Sequence, residues 1–113
     1  MSIQTRIIDR LSAAGLPGYL PGRAPAECRS AHAVVADGGR DRQGRTTGRH
    51  MYYVTVYVPE QRPDDISGAM HLASEALLGM RDIRATGNVS GGDFDKEKKA
   101  HFATMELFAL CAI

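Results

Sequence analysis

The chain has no tryptophan and only two cysteines, and aromatic residues make up 6% of its 113 residues. No apolar run approaches the roughly 20 residues that a membrane-crossing helix needs. There is no secretory h-region, because the apolar residues near the N-terminus are interrupted by charge. The stretch Ile3 to Leu11 resembles an amphipathic transit peptide, but Asp9 and the lack of a following cleavage context favour a structural helix. Net charge is also missing. Fourteen Lys and Arg against 13 Asp and Glu leave +1, so no global field recruits nucleic acid or an anionic membrane. Cys28 falls in a loop and Cys111 inside an apolar strand, so two reduced thiols in a cytosolic compartment are expected.

The constellations that carry chemistry are incomplete too. His71 and Glu75 stand four apart on a helix, but the second histidine of a zinc-protease helix is absent. Asp93 and Asp95 begin like a calcium loop, without its central glycine or its distant bidentate glutamate, and read as a charged turn. His32, His50 and His101 sit near strand ends with no cysteine or carboxylate at a telling spacing. Cys28 beside Arg29 has the setting for a depressed thiol pKa, but no general base can be assigned to it. Gly38, Gly39, Gly44 and Gly48 do not follow a phosphate-loop pattern. No catalytic residue, cofactor or metal is expected.

What is present is order. Ile3, Ile7, Ile8, Leu11 and Ala14 recur at helical spacing after Ser2, an N-cap residue, so a helix is expected over 3–14. The Pro- and Gly-rich connector that follows reads as irregular. Residues 31–36 form a short apolar strand, and His50 to Pro59 is the clearest strand of all, dense in β-branched and aromatic residues. Asp64 or Asp65 caps a second helix carrying Ile66, Ala69, Met70, Ala73, Leu77 and Met80 on one face. A weaker strand over 83–90, a turn at Gly91-Gly92-Asp93 and a last strand over 100–112 complete one domain spanning 1–113. The expected class is α+β in the order αββαββ. It has a four-stranded, mostly antiparallel sheet with both helices on one face.

Two features of this layout point to partners. The segment Asp37 to Arg49 is too long for a hairpin turn, holds no apolar residue, and carries four arginines against two aspartates. It reads as an extended hairpin loop, an arm whose Arg40, Arg42, Arg45 and Arg49 pair with carboxylates or phosphates of a partner. The second feature is that neither sheet face is cleanly polar. Tyr52, Val54, Val56 and Val58 alternate with Met51, Tyr53, Thr55 and Tyr57, and Phe102, Phe108 and Leu110 alternate with Met105, Leu107 and Ile113. Two helices cover one side only. The other side is closed either by a second subunit or by the connector at 16–30. The subunit interface then falls on Val54, Val56 and Phe108, or on the opposite-face set Tyr53, Met105 and Leu107.

The layout resembles the small tail-terminator and tail-completion (neck) proteins of long-tailed bacteriophages. The residues that carry the resemblance are Ala-Gly-Leu-Pro-Gly-Tyr-Leu-Pro at 14–21, Tyr-Tyr-Val-Thr-Val-Tyr-Val at 52–58 and Ala-Leu-Leu-Gly-Met at 76–80. Gly-Gly-Asp-Phe-Asp at 91–95 and Ala-His-Phe-Ala-Thr-Met-Glu-Leu at 100–107 complete the set. It covers nearly the whole chain as a layout rather than through a diagnostic motif. It implies a ring of six subunits in the virion, assembled in the bacterial host cytoplasm, that ends growth of the tail tube. The implied partners are further copies of the chain, the tail-tube protein and the head–tail connector protein, with passing contact to DNA in the lumen and none to a membrane. Two other readings stand beside it. One is a ferredoxin-like nucleic-acid-binding module with the arm arginines on phosphates and Tyr52, Tyr53 or Tyr57 stacked on bases. The other is a regulatory domain that binds a small molecule at a dimer interface.

Overall fold

A computed structural model describes residues 2–42 and 44–112. Gln43 of the arm and Ile113 of the last strand's second face lie outside them. The chain is α+β, with two helices and a five-stranded mixed sheet. In chain order the elements are α1 (Ile3–Ala13), β1 (Gly18–Tyr19), β2 (His32–Arg42), β3 (Thr47–Pro59), α2 (Asp65–Leu77), β4 (Arg84–Asp95) and β5 (Ala100–Ala112). The sheet order is β1-β2-β3-β5-β4, with β1 parallel to β2 and every other pair antiparallel.

α1 begins where expected, because the Ser2 hydroxyl accepts the Thr5 N–H at 3.1 Å. It ends in a Schellman arrangement, with Leu16 N–H on the Leu11 carbonyl and Gly15 N–H on that of Ser12. α2 starts differently from expectation, since the Asp64 side chain makes no capping bond. Its C-terminal end is tied to α1 instead. Arg10 Nε donates to the Ala76 carbonyl at 3.0 Å and so satisfies an orphan acceptor of the last turn.

The helices bury Ile7, Leu11, Ala69, Ala73 and Leu77 against one sheet face, formed by Ala33, Val35, Tyr52, Val54, Val56, Val58, Met105 and Leu107. Met80 and Ile83, just past α2, close this core. Among the described residues, Ile7, Leu11, Leu16, Val35, Val54, Val56 and Val58 are fully buried in it, and each such burial contributes about 1.5–3 kcal/mol.

Three expectations about the sheet are corrected. The connector is not wholly irregular: Gly18 and Tyr19 add a fifth, parallel edge strand, Gly18 packing close on the Ile8 backbone. The arm is not a separate loop. β2 runs on to Arg42 and β3 starts at Thr47, so most of 37–49 is ladder, and β5 pairs alongside through Leu110, Cys111 and Ala112. The glycines conceal this from a propensity reading, because they serve a β-bulge between Asp37 and Gly39. Gly39 takes φ +80° there, and the Asp37 carboxylate accepts its N–H at 2.8 Å. The Tyr53 ring lies over Gly38, where any Cβ would stand 2.3 Å from the ring edge. Finally, the residues taken as a turn, Gly91-Gly92-Asp93, belong to β4, which reaches Asp95 through two register shifts.

Candidate interaction surfaces

The bulge divides the sheet into two parts. Below it lies the helix-covered sheet. Above it, β2, β3 and β5 continue past both helices as a three-stranded blade, and the molecule becomes 48 Å long against 25 and 24 Å across. The four arginines are all on this blade, but they do not form one patch. Arg40 and Arg42 pair with His50 and Gly48, on the side that faces the helices lower down. Arg49 lies on the opposite side, its Nε and Nη2 donating to the two carboxylate oxygens of Asp41 (3.2 and 2.9 Å) and its guanidinium resting over the Phe108 ring. Arg45 is in the turn, where its carbonyl accepts from Arg42.

On the helix side of the blade, His50 Nε2 and Asp37 Oδ1 are 2.6 Å apart, and the imidazole stacks on Tyr52. The Gly39 N–H, and then His50, hold the Asp37 carboxyl below the usual carboxylate range.

The residues expected at an interface separate by face. Val54 pairs with Met105, Val56 with Ala103 and Tyr52 with Leu107, and all of these point into the core. Val54, Val56, Met105 and Leu107 therefore fill the subunit's own interior. Tyr53 and Phe108 lie on the other face, so the two sets proposed from sequence each mixed the faces. That other face carries Val34, Ala36, Tyr53, Thr55, Tyr57, Phe102, Thr104, Glu106 and Phe108, all half-buried, together with the buried Met51 opposite Phe108. A Thr55–Thr104 hydroxyl contact of 3.0 Å crosses its centre.

The connector covers only the lower end of this face. Cys28 N–H donates to the Lys98 carbonyl, and Lys98 Nζ donates to that of Pro25 and lies 4.6 Å above the Tyr57 ring. Beneath sits His32, 3% exposed, stacked on Tyr57 and met edge-on by Tyr19. Its Nδ1 is 3.1 Å from the Ser30 carbonyl and 3.7 Å from Cys28 Sγ, while its Nε2 has no partner. Burial lowers the His32 pKa and raises those of Cys28 and Tyr57. The Cys28 thiol is thus held protonated, against the depression that Arg29 suggested. Nothing in the sequence pattern signalled this cluster, because its members are far apart along the chain.

The remaining candidates for chemistry are dispersed. His71 and Glu75 form an exposed pair at 3.6 Å. Asp95 accepts the N–H groups of Glu97 and Lys98 and so builds the β4–β5 turn. His101 Nε2 lies 3.3 Å from the Glu60 carbonyl. Among the described residues no group of three or more His, Cys, Asp or Glu is placed to hold a metal ion. No helix among them is long and apolar enough to cross a membrane. In comparisons with known proteins, no family model matches the chain and no curated protein aligns with it significantly.

Proposed function

We propose that the chain is a structural, non-catalytic virion protein of a long-tailed phage, a tail terminator or an adjoining neck protein, that assembles into a ring. The observation that carries this reading is the blade: an 11-residue and two 13-residue strands run past the helices, leaving one half-buried, partly aromatic face with no helix on it. A face of that kind marks a protein contact more often than a wet surface. In the ring, Tyr53 and Phe108 meet the neighbouring subunit, and Arg40, Arg42 and Arg45 reach the tail-tube or connector protein. Six copies, and passing contact with DNA in the lumen, follow from the resemblance in layout.

The nucleic-acid reading is less well supported. Its four arginines are divided between two faces, and Arg49 is already engaged by Asp41. A phosphate track requires cations along one groove.

Native mass measurement with negative-stain imaging tests the proposal. A ring of fixed copy number is expected. A monomer that binds oligonucleotides with steep salt dependence overturns it in favour of nucleic-acid binding.

A further inference from the structure

Residues 20–30 of the connector cross the lower end of the helix-free face as a strap, and they are sparsely held. Within them Cys28 is the one buried residue. The strap meets the β4–β5 turn at three points. Cys28 N–H donates to the Lys98 carbonyl (2.9 Å), Lys98 Nζ donates to that of Pro25 (2.7 Å), and Glu27 stands 3.9 Å from Lys99. Beside it a cleft of about 540 Å³, lined by Pro17, Tyr19, Glu27, Arg29 and His32, leaves room for movement. A segment with so few buried contacts opens more readily than the sheet beneath it.

Under the strap the buried thiol rests on His32. The Ser30 carbonyl can only accept, so His32 Nδ1, 3.1 Å away, carries the ring proton, and the Cys28 S–H donates to the same oxygen at 3.3 Å. Nε2 is then a bare acceptor, buried and without a partner. Protonation turns it into a buried donor, again without a partner, and makes the ring a cation. Its surroundings supply no counter-charge. Tyr57 of β3 and Tyr19 of β1 present their rings, Cys28 a neutral thiol, and Lys98 an ammonium that repels. On the cleft wall Arg29 is positive and Glu27 is beside Lys99. Asp95, whose charge reaches Tyr57, already accepts the N–H groups of Glu97 and Lys98.

We infer that the strap is a latch released by protonation of His32, and that its release uncovers the His32–Tyr57 stack at the lower end of the helix-free face. The release is independent of the ring reading. Within that reading, it enlarges the face open to a neighbouring subunit.

Amide hydrogen exchange on the whole chain tests it, read at Cys28, whose N–H bonds across to Lys98, and at Val56 in the core. Each rate is referred to that of an unstructured chain at the same pH. At pH 7.5 Cys28 should be protected, but at least ~10-fold less than Val56, because the strap lifts without unfolding the sheet. From pH 7.5 to 5 its protection should fall at least ~3-fold. The limit is about 30-fold, because a freed imidazole regains its ordinary pKa of 6.5. Unfolding frees the ring too, so Val56 follows the same trend, and the gap between the two amides identifies local release. Sub-denaturing urea should speed exchange at Val56 and leave Cys28 nearly unchanged. His32→Phe, checked for folding by circular dichroism, should abolish the pH dependence at Cys28; the wild-type readings stand whether or not this variant folds. An unprotected Cys28 at pH 7.5, protection equal to that of Val56, a fall smaller than ~3-fold, or a pH dependence retained in folded His32→Phe overturns the latch. A chain that is monomeric at both pH values overturns the ring reading and leaves the latch standing.

Discussion

The lower sheet and the blade share strands β2, β3 and β5, yet they are stabilised by different means. Below the bulge, Val54, Val56 and Val58 of β3 are wholly buried under two helices. Above it, the same strand carries Gly48, Arg49 and His50, and side-chain pairs hold it: Arg49 with Asp41, His50 with Asp37, and the guanidinium over Phe108. Exposed pairs of this kind are screened by solvent and contribute little, against about 1.5–3 kcal/mol for a buried aliphatic side chain. The folding free energy therefore resides below the bulge, while the blade is held mainly by its ladder. A region that contributes little to its own subunit is the one most open to being stabilised by another.

The largest expected effect breaks the lower sheet. Val56→Lys places an ammonium in a fully buried, apolar site with no counter-charge and costs several kcal/mol, on the order of the whole stability of a small domain. Loss of the cooperative urea transition checks it. Leu107→Lys should behave alike, since Leu107 belongs to the same core. The matched changes Tyr53→Lys and Phe108→Lys should instead leave a folded chain that no longer assembles.

A smaller effect comes from deletion without charge. Leu11→Ala, in the core, should destabilise by about 2–5 kcal/mol, whereas Leu110→Ala on the blade should change subunit stability by no more than about 0.5 kcal/mol. Urea midpoints at equal slope measure both. Equal losses at the two sites would erase the distinction between the regions.

Acid should distinguish the connector-covered end of the sheet from the rest. Burial lowers the His32 pKa from its ordinary 6.5, so below that pH the unfolded chain takes up a proton that the folded chain resists. Stability should be flat in this respect above pH 6.5 and decline as pH falls from 6.5 toward the depressed folded value. Urea midpoints between pH 8 and 5 follow the decline, and His32→Phe, which keeps the ring stack on Tyr57, should remove this component. An unchanged slope in that variant would assign the acid sensitivity elsewhere.

The smallest effect on the subunit is expected from the arginines. Replacing Arg40, Arg42, Arg45 and Arg49 together by glutamine should leave the urea midpoint nearly unchanged, the small loss coming mostly from the Asp41 pair. In an infection assay the same variant should join tails to heads less efficiently or yield tails of wrong length. Normal particles would show that the blade's charge is only solvating.

Periodicity and caps made much of this molecule legible in one dimension. The α1 span, the existence and face of α2, the strand ending at Pro59 and the whole of β5 follow from apolar spacing, Ser2, prolines and β-branched runs, because those signals act over a few residues. The alternation along β3 and β5 also showed two sheet faces rich in apolar residues. It did not show which residues of β5 share a face with which of β3. That depends on register, and a slip of one residue exchanges every side chain between core and surface. Hence Val54 was grouped with Phe108 when its partner is Met105. Sequence signals an extended hairpin over 37–49 but not its ladder, because Gly38, Gly39 and the arginines have poor strand propensity, while the pairing with β5 outweighs propensity and the bulge uses the glycines. The fifth strand and the buried His32 under its connector were decided by tertiary structure alone. Each brings together residues distant in sequence, and only packing determines which of them meet.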